Sequence, residues 1–302
     1  MWFARAGAAL IATLAANAPR AQTVEEFYRG KTITLVVGSA PGGGYDTISR
    51  AVSRHLGKHI PGNPQIIVRN MPGSGSIAAV SFLSKIAPRD GTAIGCVQNN
   101  AAFEPLFGTK EADYDPMKLT YLGGPALEIG TLITWHQSRA KTLEDARRHE
   151  VTVGASGANS APAFFARLLN EVLGTKLKVI NGYAGQNEAW LAMERGEIEG
   201  YGLSLWSSVT GGKPDWLRDG KLNVIVQYGP ERDASIPAPY GPDLVTKEDD
   251  KLLFEAAYGS FKPGRPFLAP PDVPADRAAA LRAAMDATRS EEHTSELQSH
   301  SF

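Results

Sequence analysis

Cysteine is nearly absent: Cys96 is the only one in 302 residues. An intramolecular disulfide and a thiolate-rich metal centre are therefore both excluded. Cys96 lies in the run Thr92 to Val97. A small buried side chain on a strand is the plain reading there, and a reactive thiol the alternative. The six histidines suggest no metal site, and no cofactor is expected. A surplus of either charge is also missing. The 31 Lys and Arg stand against 32 Asp and Glu, a formal net charge of -1. Nothing here would pull the chain onto nucleic acid or acidic lipid. Beyond the N-terminus no apolar run is long enough for a membrane helix, so the mature chain is expected to be soluble.

The N-terminus reads as an address. Arg5 precedes an Ala-rich apolar run, Ala6 to Ala16, which is too short to span a bilayer. A signal peptide over residues 1–21 is expected, with cleavage after Ala21 leaving Gln22 first. At the other end, Arg289 to His300 resembles the translation of a sequencing-adapter oligonucleotide, so residues 289–302 are set aside as a scar.

Between these ends the pattern is a short β-branched run, a Gly/Ser/Asn loop, then a helical period, which is α/β grammar. Ile33 to Gly38 predicts a strand, and Asp46 to Leu56 a helix with Ile48, Val52 and Leu56 on one face, stopping at Gly57. A second unit has a strand at Ile66 to Val68 and a helix from Ile77. Val151 to Ala155 leads into a helix with Ser160 as N-cap and Pro162 in its first turn. Lys178 to Ile180 leads into a helix ending at Arg195. Two domains are expected. The first lobe takes residues 22–124 and 225–288 and the second 125–224, with Leu222 to Tyr228 carrying the chain back.

In open parallel sheets ligands bind beyond the carboxyl ends of strands, against helix N-termini with free amides. The loop Gly38 to Asp46 is the most distinctive candidate, because Gly42, Gly43 and Gly44 permit close backbone approach. A phosphate-binding P-loop would need Lys after the last glycine, but Tyr45 and Asp46 follow. The dinucleotide spacing fails as well, since Thr47 stands where the third glycine would be. Asp46 suits either a helix cap or a ligand contact.

At this loop the chain resembles a known family. Pro-Gly-Gly-Gly-Tyr-Asp at 41–46, Val68 to Gly75, Pro88 to Thr92, Gly154 to Gly157 and Gly182 to Gly185 occur in order. Together they resemble the Bug (TctC-like) family, the extracytoplasmic solute receptors of tripartite tricarboxylate transporters. The resemblance implies a type II periplasmic-binding-protein fold, α/β with two lobes closing on a small carboxylate-bearing solute. It also implies a periplasmic location and delivery to large and small membrane subunits. Carried onto this chain, ligand contacts fall on Ser39, Gly42, Gly43, Tyr45 and Asp46, then Ser156, Asn159 and Ser160, then Tyr183, Gly185 and Gln186. No Arg or Lys lies in these loops, so backbone amides at helix starts would replace the hydration of a carboxylate.

The chain departs from the family pattern twice. Tyr183 to Glu188 lacks the Pro-Ala that commonly follows this glycine, and Ser204 to Ser208 replaces an acidic-aromatic ending. Trp206 is a candidate for the cleft and equally for a core. Gln98, Asn99 and Asn100 would supply polar contacts or an ordinary capping loop. The receptor is expected to be monomeric and no enzyme: the chain has no Gly-x-Ser-x-Gly elbow, and no His lies in the proposed loops. The competing readings are an α/β enzyme acting on a small polar substrate and a ligand sensor for a membrane signalling protein.

Overall fold

The β-branched runs assemble into two five-stranded sheets, each flanked by the helices that follow its strands. The computed structural model describes residues 22–102, 104–106, 108–124, 128–259 and 264–290. The expected signal peptide and all but the first two residues of the adapter-like tail lie outside them.

The chain runs through α1 (Val24–Tyr28), β1 (Thr32–Val37), α2 (Gly44–His59), β2 (Gln65–Asn70), α3 (Ile77–Lys85), β3 (Ala93–Cys96) and β4 (Thr120–Gly123). It continues with β5 (Gly130–Trp135), α4 (Leu143–Arg148), β6 (Val151–Ala155), α5 (Ala161–Leu173), β7 (Leu177–Asn181) and α6 (Gln186–Glu194). There follow β8 (Gly200–Leu205), α7 (Trp206–Gly212), α8 (Pro214–Arg218), β9 (Leu222–Tyr228) and α9 (Glu248–Gly259). Last come β10 (Phe267–Ala269) and α10 (Ala275–Ser290).

The first sheet has the order β2-β1-β3-β10-β4 and the second β7-β6-β8-β5-β9. In each, three parallel strands are joined by an antiparallel one, β10 against β3 and β5 against β8. The chain passes from the first sheet to the second between Gly123 and Gly130, and back between Gly259 and Phe267.

The predicted face of α2 is its buried face. Ile48, Val52 and Leu56 share a core with Leu281 and Met285 of α10. Fully burying a side chain such as Leu56 contributes about 2 kcal/mol. Cys96 is fully buried in this core, and burial pushes its thiol up to about 12, so it packs as a small apolar residue.

Two expectations are corrected. The helix does not stop at Gly57 but runs to His59. A Cβ on Gly57 would come within 2.5 Å of the Pro64 carbonyl, so the glycine admits the chain returning toward β2 rather than ending the helix. Nor does β9 return to the first lobe. It pairs along the free side of β5, from Gly130 opposite Tyr228 to Trp135 opposite Leu222. Ile225, Val226 and Tyr228 enter the core of the second sheet, where the acidic α9 adds Phe254 and Ala257. Residues 225–259 thus pack with the second sheet, because β5 leaves an apolar edge that β9 fills.

Candidate functional site

The carboxyl ends of β1, β3 and β6 face one another across the two sheets, and the loops leaving them line a cleft of about 630 Å³. Ser39, Gly43, Gly44 and Tyr45 contribute from the first glycine-rich loop, Gly73, Ser74 and Gly75 from the second, and Gln98 from the end of β3. Ser156, Ala161 and Pro162 face them from the second sheet, with Tyr183, Gly185, Gln186, Asn187 and Glu188. Leu191, Tyr201 and Leu203 form an apolar wall.

The starts of α2, α5 and α6 open on this cleft, as does the Ser74–Ser76 turn that leads into α3. First-turn amides have no acceptor within their own helix and carry partial positive charge. Among the described lining residues there is no lysine, arginine or histidine, and Glu188 is the one carboxylate.

The lobes touch across the cleft. Asn187 Nδ2 donates to the Gly42 carbonyl at 2.6 Å, and Asn100 Nδ2 to the Asn159 carbonyl at 2.9 Å. The Ala161 amide, the first of α5, donates to Gln98 Oε1 at 3.1 Å. A first-lobe side chain therefore caps a second-lobe helix. The Ser160 side chain makes no cap bond, and its hydroxyl donates back to the Gly157 carbonyl at 2.7 Å.

Of the residues expected at the site, Ser39, Gly43, Tyr45, Gln98, Ser156, Tyr183, Gly185 and Gln186 line the cleft. The others do not. Gly42 lies behind the loop and faces Asn187. Asn99 is buried, with its Oδ1 accepting from the Tyr45 hydroxyl and its Nδ2 donating to the Gly264 carbonyl at 2.5 Å. Asn159 offers its carbonyl to Asn100, and Ser160 is fully buried. Trp206 joins the core around Trp190 and Trp216.

Asp46 is turned inward and 3 % exposed. It accepts from the Gly42 amide at 2.8 Å, Arg50 Nε at 2.9 Å and Asn70 Nδ2 at 2.9 Å, which ties the glycine loop to α2 and β2. Burial pushes its carboxyl up, but the bonds from Arg50, Gly42 and Asn70 outweigh that and hold it below the usual carboxylate range. A carboxylate held low contributes stability above its unfolded value of about 3.9, and this is lost as pH falls through the lower folded value. Asp46→Asn is expected to cost about 1–3 kcal/mol at neutral pH. Urea unfolding from pH 7 down to pH 3 should then show a shallower acid decline than in the parent, with ligand affinity little changed. Retained stability with lost binding would return Asp46 to the ligand.

Two residues that brace the cleft are not apparent from the sequence. Arg265 Nε approaches Glu128 Oε1 at 2.9 Å, and their side chains are 4 % and 7 % exposed. The contact is an ion pair whose N–H is not aligned on an acceptor. Arg265 Nη2 donates to Ser207 Oγ at 2.8 Å and Ser208 Oγ at 2.7 Å, and Nη1 donates to the Gly44 carbonyl. Its guanidinium lies 5.3 Å from the Tyr45 ring centroid. The Ser207 hydroxyl donates in turn to Glu128 at 2.8 Å. One cation thus ties the cleft-lining Gly44 and Tyr45 to the start of α7 and the approach to β5.

Strand direction explains why sequence spacing does not reveal them. Both residues precede antiparallel strands, so they arrive at the ligand end of each sheet, whereas the glycine-rich loops leave the carboxyl ends of parallel strands. The available signal is an Arg-Pro step just before a short apolar run, Phe267 to Ala269.

His55 and His59 lie four apart on α2, but among the described residues no group of three His, Cys, Asp or Glu could hold a metal ion. No helix among the described residues is long and apolar enough to cross a membrane.

Known proteins share this fold. The profile of the tripartite tricarboxylate transporter family receptors, TctC, matches residues 48–292. The UPF0065 protein in the gbd 5′ region of Cupriavidus necator is 27 % identical over 248 residues, covering 78 % of this chain and 71 % of that protein. The periplasmic binding protein BugD superposes with a TM-score of 0.71 at 17 % identity, covering 90 % of this chain and 87 % of BugD. MatC of Rhodopseudomonas palustris, solved with bound malate, gives 0.70 at 22 % identity, covering 89 % and 88 %. These neighbours share the two-lobed fold of periplasmic binding proteins. A profile match over most of its length places this chain in the TctC family, the solute receptors of tripartite tricarboxylate transporters.

Proposed function

We propose that this receptor captures a small organic acid by its carboxylate between the two lobes and releases it to the large and small membrane subunits of a tripartite transporter. It would be exported by the segment at residues 1–21 and act in the periplasm as a monomer. The observation that carries this reading is the first-lobe side of the cleft, where the start of α2 and the Ser74–Ser76 turn present backbone amides without a cationic side chain. Such amides substitute for the hydration of an anion. The relatives' names point the same way: MatC was solved with malate, and another R. palustris protein of this fold with adipate.

The test is thermal unfolding against a panel of mono-, di- and tricarboxylates, amino acids and neutral amides. A ligand that binds the folded state at 100 times its Kd stabilises it by about 2.7 kcal/mol. A rise in Tm confined to carboxylate-bearing compounds is expected. A well-folded sample that responds only to amides or not at all would overturn the reading.

A further inference from the structure

We propose that the cleft selects carboxylates whose far end is neutral or cationic and turns away a second carboxylate, with Glu188 as the discriminating residue. The inference rests on the receptor reading above and names the solute class more narrowly.

An anion at each end of the ligand would need amides or cations at two places, and the helix starts are not equally available. In α5 the first amide is already bound by Gln98 Oε1, and the next residue, Pro162, has no N–H. In α6 the third residue is Glu188 itself, whose carboxylate accepts from the Ala184 amide just upstream. A carboxylate in the first turn offsets the positive end of its own helix. Asp46 lies in the first turn of α2, but Arg50 pairs with it there. What remains for an anion is the first-lobe side, around Gly43, Gly44 and the Ser74–Ser76 turn.

The opposite wall has a different character. Glu188 stands there with Leu191, Pro162 and Leu203, and the phenol of Tyr183 is raised by burial and by the nearby Glu197 and Glu188 charges, so it stays a neutral donor. Among the described lining residues no cation faces this wall. Glu188 is exposed on this wall, so a carboxylate reaching it would meet a like charge with no cation between them, whereas an alkyl end would meet Leu191 and an ammonium would pair with Glu188.

The experiment is titration calorimetry with chain-length-matched series of alkanoates, ω-amino acids and dicarboxylates from three to eight carbons, on the parent and on Glu188→Gln. The glutamine still offers an oxygen to the Ala184 amide, so the unliganded variant should stay folded, with Tm lowered by no more than about 4 °C for the lost first-turn charge. In the parent, the alkanoate or ω-amino acid of the preferred length should bind roughly tenfold tighter than the matching dicarboxylate. Glu188→Gln should shrink that gap, weakening the ω-amino acid and strengthening the dicarboxylate. Dicarboxylates binding as tightly as their matched partners, or a gap that survives Glu188→Gln, would overturn this inference and leave the receptor reading standing. Failure of every series in a folded protein whose Tm also ignores the wider carboxylate panel would overturn both.

Discussion

Gly75→Val should leave both lobes folded and weaken ligand capture by about 100-fold, which corresponds to about 3 kcal/mol lost from the closed state. Gly75 sits in the first-lobe turn at φ 65°, and a Cβ there would come within 2.5 Å of the Asn159 carbonyl and 2.9 Å of Ser160 Cα. Those atoms belong to the loop before α5, on the other lobe. The turn itself is pinned, because the Ser76 hydroxyl donates to the Gly38 carbonyl at 2.7 Å and accepts from the Gln98 amide at 3.0 Å. It cannot swing aside to make room. A β-branched residue in this region of φ also adds about 1–3 kcal/mol of local strain. The measurements are calorimetric Kd, far-UV circular dichroism, and the radius of gyration from small-angle scattering with and without ligand. Gly157→Ala is the control, since a Cβ at Gly157 meets nothing within 4 Å. Parent-like affinity in Gly75→Val would show that closure does not need this approach.

Arg265→Met is expected to destabilise the fold by about 3–5 kcal/mol, because it leaves Glu128 buried and unpaired. For a chain of this size that lowers Tm by roughly 10 °C. Burial already holds Glu128 above the usual carboxylate range, against the pull of Arg265 and Ser207. Removing the cation raises it further. A group raised in the folded state favours folding at low pH, and that contribution is lost as pH rises through the folded value. The deficit of Arg265→Met should therefore be largest near neutral pH and shrink as the sample is acidified toward pH 5. Adding Glu128→Gln should recover much of it at neutral pH. Because Arg265 also holds the Gly44 carbonyl and stacks near Tyr45, the double variant should still bind ligand more weakly than the parent. Equal stability of Arg265→Met and parent at pH 7 would show that the ion pair contributes nothing to the fold.

The parts of this molecule legible in the sequence are those set by neighbours along the chain. Ile48, Val52 and Leu56 mark the buried face of α2 at helical spacing, and the β-branched run Val151 to Val153 marks β6. The glycine loops are legible because backbone approach and helix starts are local properties, and these loops carry Ser39, Gly43, Tyr183 and Gly185 to the cleft. The same locality fails at Asp46, Ser160 and Trp206. Their residue types suit a cap, a cleft or a core equally well. The choice depends on Arg50 and Asn70, on Gln98 reaching α5 first, and on the packing around Trp190 and Trp216.

The sequence by itself determined the α/β alternation, the glycine-rich strand-to-helix loops, and the absence of Lys and Arg from those loops. Each of these follows from residue type and short-range spacing. Only the tertiary structure decided which sheet received β9, and that Arg265 and Glu128, far apart in sequence, meet as they enter two antiparallel strands. Strand order and direction are properties of pairing between distant segments. A free edge on β5 and a shared burial site for opposite charges exist only once both sheets have formed.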